Sequence, residues 1–258
     1  MKSHKTSKRQ IDILDYIRQR GTLSVVELAK GLQVSDETIR RDAKILEQNG
    51  QILKLHGALA LPHMAGEAPF ERRMRENADV KRAIAKCACQ FVEDGDSLMI
   101  DTGTTTSIFA QELRVKRGLT IVTNSSDVAR TLATVNGNKV FMAGGELKGD
   151  NGAAFGNIAV EFFSWFKVKH AFISIAAIDA KLGGFDAELD EANIAYQALK
   201  QAEHRVIITD ASKFTKTALV QVCDFNDFDR LITNELPGAE LIAALEKANI
   251  AITMASIK

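Results

Sequence analysis

The chain has 258 residues, of which 46% are hydrophobic and 26% charged, with only 3 prolines; this is the balance of a soluble globular protein of one or two domains and excludes a disordered or fibrous chain. No apolar run approaches the roughly 18 residues that span a bilayer, which excludes a membrane protein. The formal net charge is zero but unevenly spread: residues 1–60 hold 11 Lys and Arg against 7 Asp and Glu (+4), leaving 22 against 26 (−4) in the rest, so a basic head that could meet a polyanion precedes an acidic body.

The N-terminus is basic (Lys2, Lys5, Lys8, Arg9), but Asp12, Asp15 and Arg18 interrupt any apolar stretch, so no secretory signal is read and the chain is expected to be cytoplasmic. Residues 9–20 predict a helix with Ile11, Leu14 and Ile17 on one side, ended by Gly21. Ser24 and Glu27 then form a capping-box pattern that opens a short helix from Val25 to Leu32. Gln33-Val34 is a tight turn, and Ser35 caps a third helix that runs to Asn49, with Gly50 just beyond. In that helix Ile39, Ala43 and Leu46 point inward, while Glu37, Arg40, Arg41 and Lys44 form a stripe on another face. A major groove admits one such helix, and Arg and Lys there reach guanine edges or phosphates. Two β-prone pieces, 51–55 and 58–60, follow about a His56-Gly57 bend; they predict a wing that lays Lys54 and His56 on the backbone or in the minor groove.

Ser35-Asp-Glu-Thr-Ile-Arg-Arg-Asp42, with Leu46-Glu47, Gly50 and Leu55-His-Gly-Ala58, resembles the N-terminal signature of the DeoR-type regulators of bacterial sugar catabolism. Ala43 stands where leucine is usual, and Leu59 where the family more often repeats glycine before alanine. The implied fold is a winged helix-turn-helix over residues 1–60, with Ser35, Glu37, Thr38, Arg40, Arg41, Lys44, Lys54 and His56 as the candidate DNA-contacting set. Pro62, Gly66 and Pro69 mark a linker, taken as 61–78.

From 79 to 258, apolar β-rich runs (97–101, 119–123, 139–143, 170–176, 205–210, 230–233, 250–254) alternate with helical stretches (79–92, 105–116, 126–135, 158–166, 189–203, 238–247). The runs are near-continuous in hydrophobicity, as strands covered on both faces are, so the second part is read as an α/β domain with a mostly parallel sheet. Ligands of such sheets bind outside the carboxyl ends of the strands. There stand Asp101-Thr-Gly103-Thr104-Thr105-Thr106, whose glycine and free helix-start amides suit an anion. Thr123-Asn124, Gly144-Gly145-Glu146, Asp179, Glu191 and Asp210-x-Ser212-Lys213 follow other strands. Carboxylates and amides suit sugar or polyol hydroxyls, and Lys213 with the threonine loop suits a phosphate.

This part is similar to the DeoR-type sensor domain, itself similar in fold to ribose-5-phosphate isomerase. The resemblance implies Asp101, Gly103, Thr104, Thr105, Asn124, Gly144, Gly145, Glu146, Asp179, Glu191, Asp210 and Lys213 as effector-binding residues, and the loop reading adds Thr106 to the set. The run 141–156 looks most like glycerol-3-phosphate regulon repressors. The function read is therefore a repressor, without cofactor or metal, that binds double-stranded operator DNA as a homo-oligomer (dimer or tetramer) and is released by a phosphorylated sugar or polyol. The alternative is a sugar-phosphate isomerase using Asp179 or Glu191 as general base. Cys87 and Cys89 lie two apart on a helix, too far around it to share a metal, and with Cys223 read as reduced thiols. The cluster Phe162, Phe163, Trp165, Phe166 reads as core packing, with a subunit contact as the alternative.

Overall fold

The computed structural model describes residues 7–20, 23–49, 51–55, 58–60, 70–148 and 151–256. The chain divides into two compact units, Met1–Ala68 and Pro69–Lys258.

In the first unit, α1 (Lys8–Arg20), β1 (Leu23–Ser24), α2 (Val25–Leu32), α3 (Asp36–Gln48), β2 (Leu53–Leu55) and β3 (Ala58–Ala60) form a winged helix-turn-helix with an antiparallel sheet ordered β1-β3-β2. The caps are local. Ser24 Oγ accepts from the Glu27 amide at 3.2 Å, while the Glu27 carboxylate accepts from the Ser24 amide at 2.7 Å; each satisfies a donor that the helix start leaves orphaned. Gln33 ends α2 in the left-handed region (φ 54°), and Ser35 caps α3. Ile13, Leu14, Ile17, Leu28, Ile39, Leu46, Ile52 and Leu59 make the core. Ile11, expected to face inward, is 47% exposed. The inward stripe of α1 is Gln10, Ile13, Leu14 and Ile17, one position out of phase with it, because the Gln10 amide is drawn in by Asp42.

The second unit begins with α4 (Phe70–Arg75), α5 (Ala78–Cys89), β4 (Ser97–Ile100), α6 (Thr104–Glu112) with a 3-10 extension, β5 (Thr120–Thr123), α7 (Ser126–Leu132) and β6 (Lys139–Met142). The hairpin β7 (Glu146–Lys148) and β8 (Ala153–Phe155) leads to α8 (Asn157–Ser164), β9 (Val168–Ile173), β10 (Ala177–Asp179), β11 (Gly183–Asp186) and α9 (Leu189–Lys200). β12 (Ala202–Ile208), a 3-10 turn (Ala211–Thr215), β13 (Val220–Cys223), β14 (Arg230–Thr233), α10 (Ala239–Lys247) and β15 (Ala251–Met254) complete it. The seven apolar runs are the seven strands of one parallel sheet, ordered β15-β14-β12-β9-β4-β5-β6. Alternate residues of each central strand feed opposite faces: Leu98 and Ile100 meet Ile84, Phe109 and Leu132 of α5, α6 and α7, whereas Met99 belongs with Phe163, Leu199 and Leu245 of α8, α9 and α10. From β4 the chain winds outward one way through β5 to β6; from β9 it winds the other way through β12 and β14 to β15. The crevice between the carboxyl ends of β4 and β9 is thus a topological switch point, the usual ligand position in such sheets.

Three departures from the sequence reading have plain causes. Residues 70–75, assigned to the linker, form α4, supported by the Arg72–Glu76 (2.8 Å) and Glu71–Arg75 (3.7 Å) pairs one turn apart. The edge strand β6 is not covered on both faces: Phe141 and Met142 are 41% and 37% exposed. The antiparallel hairpins β7–β8 and β10–β11 grow out of strand-to-helix connections, and β13, from the connection between β12 and β14, pairs with β11. β11 lies so close to β13 that a Cβ on Gly183 (φ +98°) would sit 2.3 Å from the Cys223 carbonyl oxygen, so no side chain fits there.

Among the described residues no helix is long and apolar enough to cross a membrane. Cys89 and Cys223 are buried, and burial pushes the Cys223 thiol up to about 12.

At the amino end of the sheet, buried His170 lies 3.3 Å from Asp96, with His204 and Lys169 also facing it. Burial lowers its pKa and outweighs the attraction of Asp96; His204 and Lys169 push the same way. The folded state therefore disfavours the protonated ring. Its stabilising contribution is full above the unfolded value of about 6.5 and declines as pH falls below it. Denaturant midpoints at pH 7 and pH 5 are expected to differ more for the parent than for His170→Gln; equal differences would remove His170 from the acid response.

Candidate functional site

On the first unit the exposed face of α3 presents Ser35, Glu37, Arg40, Arg41 and Lys44, while Ile39, Ala43 and Leu46 are fully buried beneath. Arg40, Arg41 and Lys44 make no ion pair among the described residues. Glu37 cannot take a phosphate but can accept from a cytosine amino group. The Ser35 hydroxyl is engaged in the cap and lies 2.8 Å from that of half-buried Thr38, so both are tied first to the helix start. Lys54 on β2 pairs with Glu47 at 3.0 Å and is not a free cation. His56 lies outside the described residues. One residue of the Ser35–Asp42 signature that was not among the candidate contacts orients the face: buried Asp42, on the opposite side of α3, accepts from Arg9 Nε and from Gln10 Nε2, fastening α3 to α1.

On the second unit the loop from β4 to α6 lies at the switch point. Gly103 is the N-cap of α6, and a Cβ there would fall 2.1 Å from Ser174 Oγ, just past β9; glycine is what lets the loop and β9 approach this closely. The first α6 bond runs from the Ser107 amide to the Gly103 carbonyl, leaving the Thr104, Thr105 and Thr106 amides without a helical acceptor. Thr104, Thr105 and Thr106 are all buried. The Thr106 hydroxyl, expected as an added donor, is bonded back to Gly103 O at 3.1 Å.

Asp101 is buried, and its Oδ2 accepts from the Ser174 amide at 3.0 Å. Burial holds its carboxyl well above the usual range, with the bond from the Ser174 amide opposing the rise and the nearby Glu191 charge adding to it. Asn124, fully buried at the end of β5, donates to Ala154 O at 3.0 Å. Asp101 Oδ1, Thr102 Oγ1 and Asn124 Oδ1 are buried without a hydrogen-bond partner among the described residues, which leaves three polar atoms at adjacent strand ends for a ligand's hydroxyls to satisfy. Glu191, in the first turn of α9, accepts from Asn151 Nδ2 at 3.4 Å, and this brings the β7–β8 loop to the same place.

The other expected members lie on other elements. Gly145 (φ +140°) and Glu146 open the β7–β8 hairpin, with Glu146 opposite Phe155; Gly144 beside them is exposed. Asp179, read as following a parallel strand, is instead exposed at the β10–β11 turn, where its carboxylate accepts from the Lys181 and Leu182 amides at 2.8 and 3.0 Å; a hairpin inserted after β9 carries it there. Asp210 is buried at the end of β12, where it caps the Ser212 amide at 3.0 Å and accepts from Asn77 Nδ2 at 3.5 Å, with half-buried Lys213 in the same turn.

Facing Asp210 is a residue the sequence reading missed. Lys81 of α5 is buried, donates to the Arg73 carbonyl, and has its pKa lowered chiefly by burial, with Asp210 opposing and Lys213 and Arg73 adding to the fall. The signal was present: Lys81 occupies the inward stripe with Ile84, Ala85 and Ala88, where a lysine needs a reason. Ser174 and Asn151 carried no such mark. Among the described residues no group of three His, Cys, Asp or Glu could hold a metal.

Residues 9–65 match the DeoR-like helix-turn-helix domain and residues 76–235 the DeoR C terminal sensor domain. The chain belongs to the DeoR family. It is 33% identical to the glycerol-3-phosphate regulon repressor of Haemophilus influenzae over 90% of this chain and 91% of that protein. It is 29% identical to the protein of the same name from Escherichia coli (97% and 99% covered) and 27% identical to the HTH-type transcriptional repressor GlcR of Bacillus subtilis (94% of each). Among solved structures, ribose 5-phosphate isomerase A from Methanocaldococcus jannaschii overlaps 55% of this chain and 56% of its own, with a TM-score of 0.38 and 18% identity, from which nothing follows about activity. This DeoR-family chain is a transcriptional regulator; the isomerase alternative is not favoured by relatives that are all named regulators.

Proposed function

We propose that this DeoR-family protein represses a carbohydrate or polyol catabolic operon in the cytoplasm, and that a phosphorylated sugar or polyol releases it from its operator. The observation that carries this reading is the switch-point loop: unpaired amides of Thr104–Thr106 suited to a phosphate lie beside three unpartnered oxygens of Asp101, Thr102 and Asn124 suited to hydroxyls. The basic face of α3 supplies the operator contact in the same chain. Lys81 and Lys213 add positive charge at the carboxyl edge of the sheet. The names of the relatives from Haemophilus influenzae and Escherichia coli favour glycerol-3-phosphate as effector. By linkage the effector must bind the operator-free state more tightly, and operator must weaken effector binding by the same factor.

Thermal unfolding against a panel of sugar and polyol phosphates, each beside its unphosphorylated parent, tests the sensor. A midpoint raised by one ester and not by its parent is expected, since a ligand of the native state stabilises it by mass action. A flat panel, or operator affinity unmoved by saturating ligand, would defeat the reading. Lys81→Met is expected to lose most of that ligand-induced rise while its ligand-free midpoint stays equal or increases, because the buried amine is desolvated at a cost the thioether does not carry. A Lys81→Met protein with an undiminished ligand response would remove this residue from the site.

A further inference from the structure

We propose that the outer face of α8 and the free edge of β6 form the surface through which two copies of this chain associate. α8 carries apolar side chains on its outer side as well as on its inner one. Ala159 and Phe163 face the core with no exposure, whereas Ile158 and Trp165, at i and i+7, face out and are 68% and 67% exposed, with half-buried Phe162 between them reaching back to the core. Bare apolar side chains gathered on one exposed face mark a surface that another molecule covers. This face runs on to the sheet edge without a break: Phe162 lies 5.6 Å from Trp165 and 5.2 Å from Phe166, and Phe166 lies 5.2 Å from Phe141 of β6. Among the described residues β6 pairs only with β5, so its other side offers unpaired backbone groups. Taking large side chains at about 200 Å² each, the bare parts of Ile158, Trp165, Phe141 and Met142 amount to roughly 400 Å². That is about half of the ~800 Å² that each partner of a stable interface buries, enough for its apolar centre.

The occupant that fits is a second copy, because the surface is complementary to itself. Glu161 on the outer side of α8 and Lys139 on β6 are both exposed and make no ion pair among the described residues. A two-fold axis brings the acid of each copy to the base of the other and lets the two β6 edges pair antiparallel. The inference also rests on the regulator reading, since helix-turn-helix proteins read two half-sites with two heads. In the first unit the exposed large apolar residues among those described are only Ile11 and Val26.

Trp165 is the single tryptophan, so its emission reports on the surface directly. On dilution of the full-length protein without DNA, the emission is expected to shift to the red over the range in which the sedimenting mass falls by half. Trp165→Glu and, independently, Ile158→Glu are expected to sediment at half the parent's mass with unchanged far-ultraviolet circular dichroism, as both side chains are exposed. A monomeric parent, folded variants that keep the parent's mass, or an emission insensitive to dissociation would each overturn the proposal. No operator enters the experiment, so its failure leaves the regulator reading untouched.

Discussion

Replacing Thr104 and Thr105 together by alanine is expected to abolish the response to effector while operator affinity stays within twofold of the parent. Both threonines lie in the first turn of α6, at the switch point, and both are buried. A hydroxyl bonded to a charged group contributes about 1.5–3 kcal/mol, so losing two weakens a phosphate ester by roughly a hundredfold or more. Neither hydroxyl caps the helix; the bond from Thr106 to Gly103 is untouched, so the fold should survive. The measurement is operator titration with and without the ester that stabilises the parent, beside the ligand-free unfolding midpoint. If the double variant instead fails to bind operator with a lowered midpoint, the loop is structural and the effector lies elsewhere. Gly103→Val gives a harsher version, because the added carbons meet Ser174 and force the loop away from β9.

Arg41→Ala is expected to weaken operator binding by about 1–3 kcal/mol, roughly 5- to 150-fold, if the guanidinium reads a base edge. Arg41 is exposed on the face of α3 that also carries Arg40 and Lys44, and it has no competing ion pair among the described residues. Two mechanisms give different signatures. A base contact relaxes specificity at one position of the operator, whereas a phosphate contact weakens every sequence alike and lowers the salt slope by about one. Lys54, held by Glu47, should matter less than Arg41 in the same titration. Undiminished affinity in Arg41→Ala would turn the recognition face elsewhere. Because Asp42 lies beneath this face, loss of binding in Asp42→Ala would report a tilted α3 and not a lost contact.

What was legible in the sequence was what is local. The head's helices are set by their caps, Ser24 with Glu27 and then Ser35, and by side chains repeating every three or four positions; both signals act within one or two turns. The seven strands of the parallel sheet were legible because burial on both faces leaves continuous apolar runs. The Asp101–Thr106 loop was legible because a strand, a glycine and a helix start follow one another directly in the chain.

Tertiary structure decided the rest, because it depends on which distant segments become neighbours. β9 lies beside β4 although about seventy residues separate them, and that pairing alone brings Ser174 to Asp101 and Gly103. The β7–β8 hairpin folds on to the end of β5 through the Ala154 amide and the Asn124 carbonyl, and so delivers Asn151 to Glu191. The same insertions take Asp179 to a hairpin turn, which strand order in the sequence could not reveal. Lys81 is the boundary case: its place on an apolar stripe was written in the sequence, but only the packing of α5 against the end of β12 shows that it faces Asp210. Sequence by itself determined the elements and the chemistry of their ends; the order of the strands determined which ends meet, since backbone pairing between remote segments rests on the burial of the whole sheet and not on any motif.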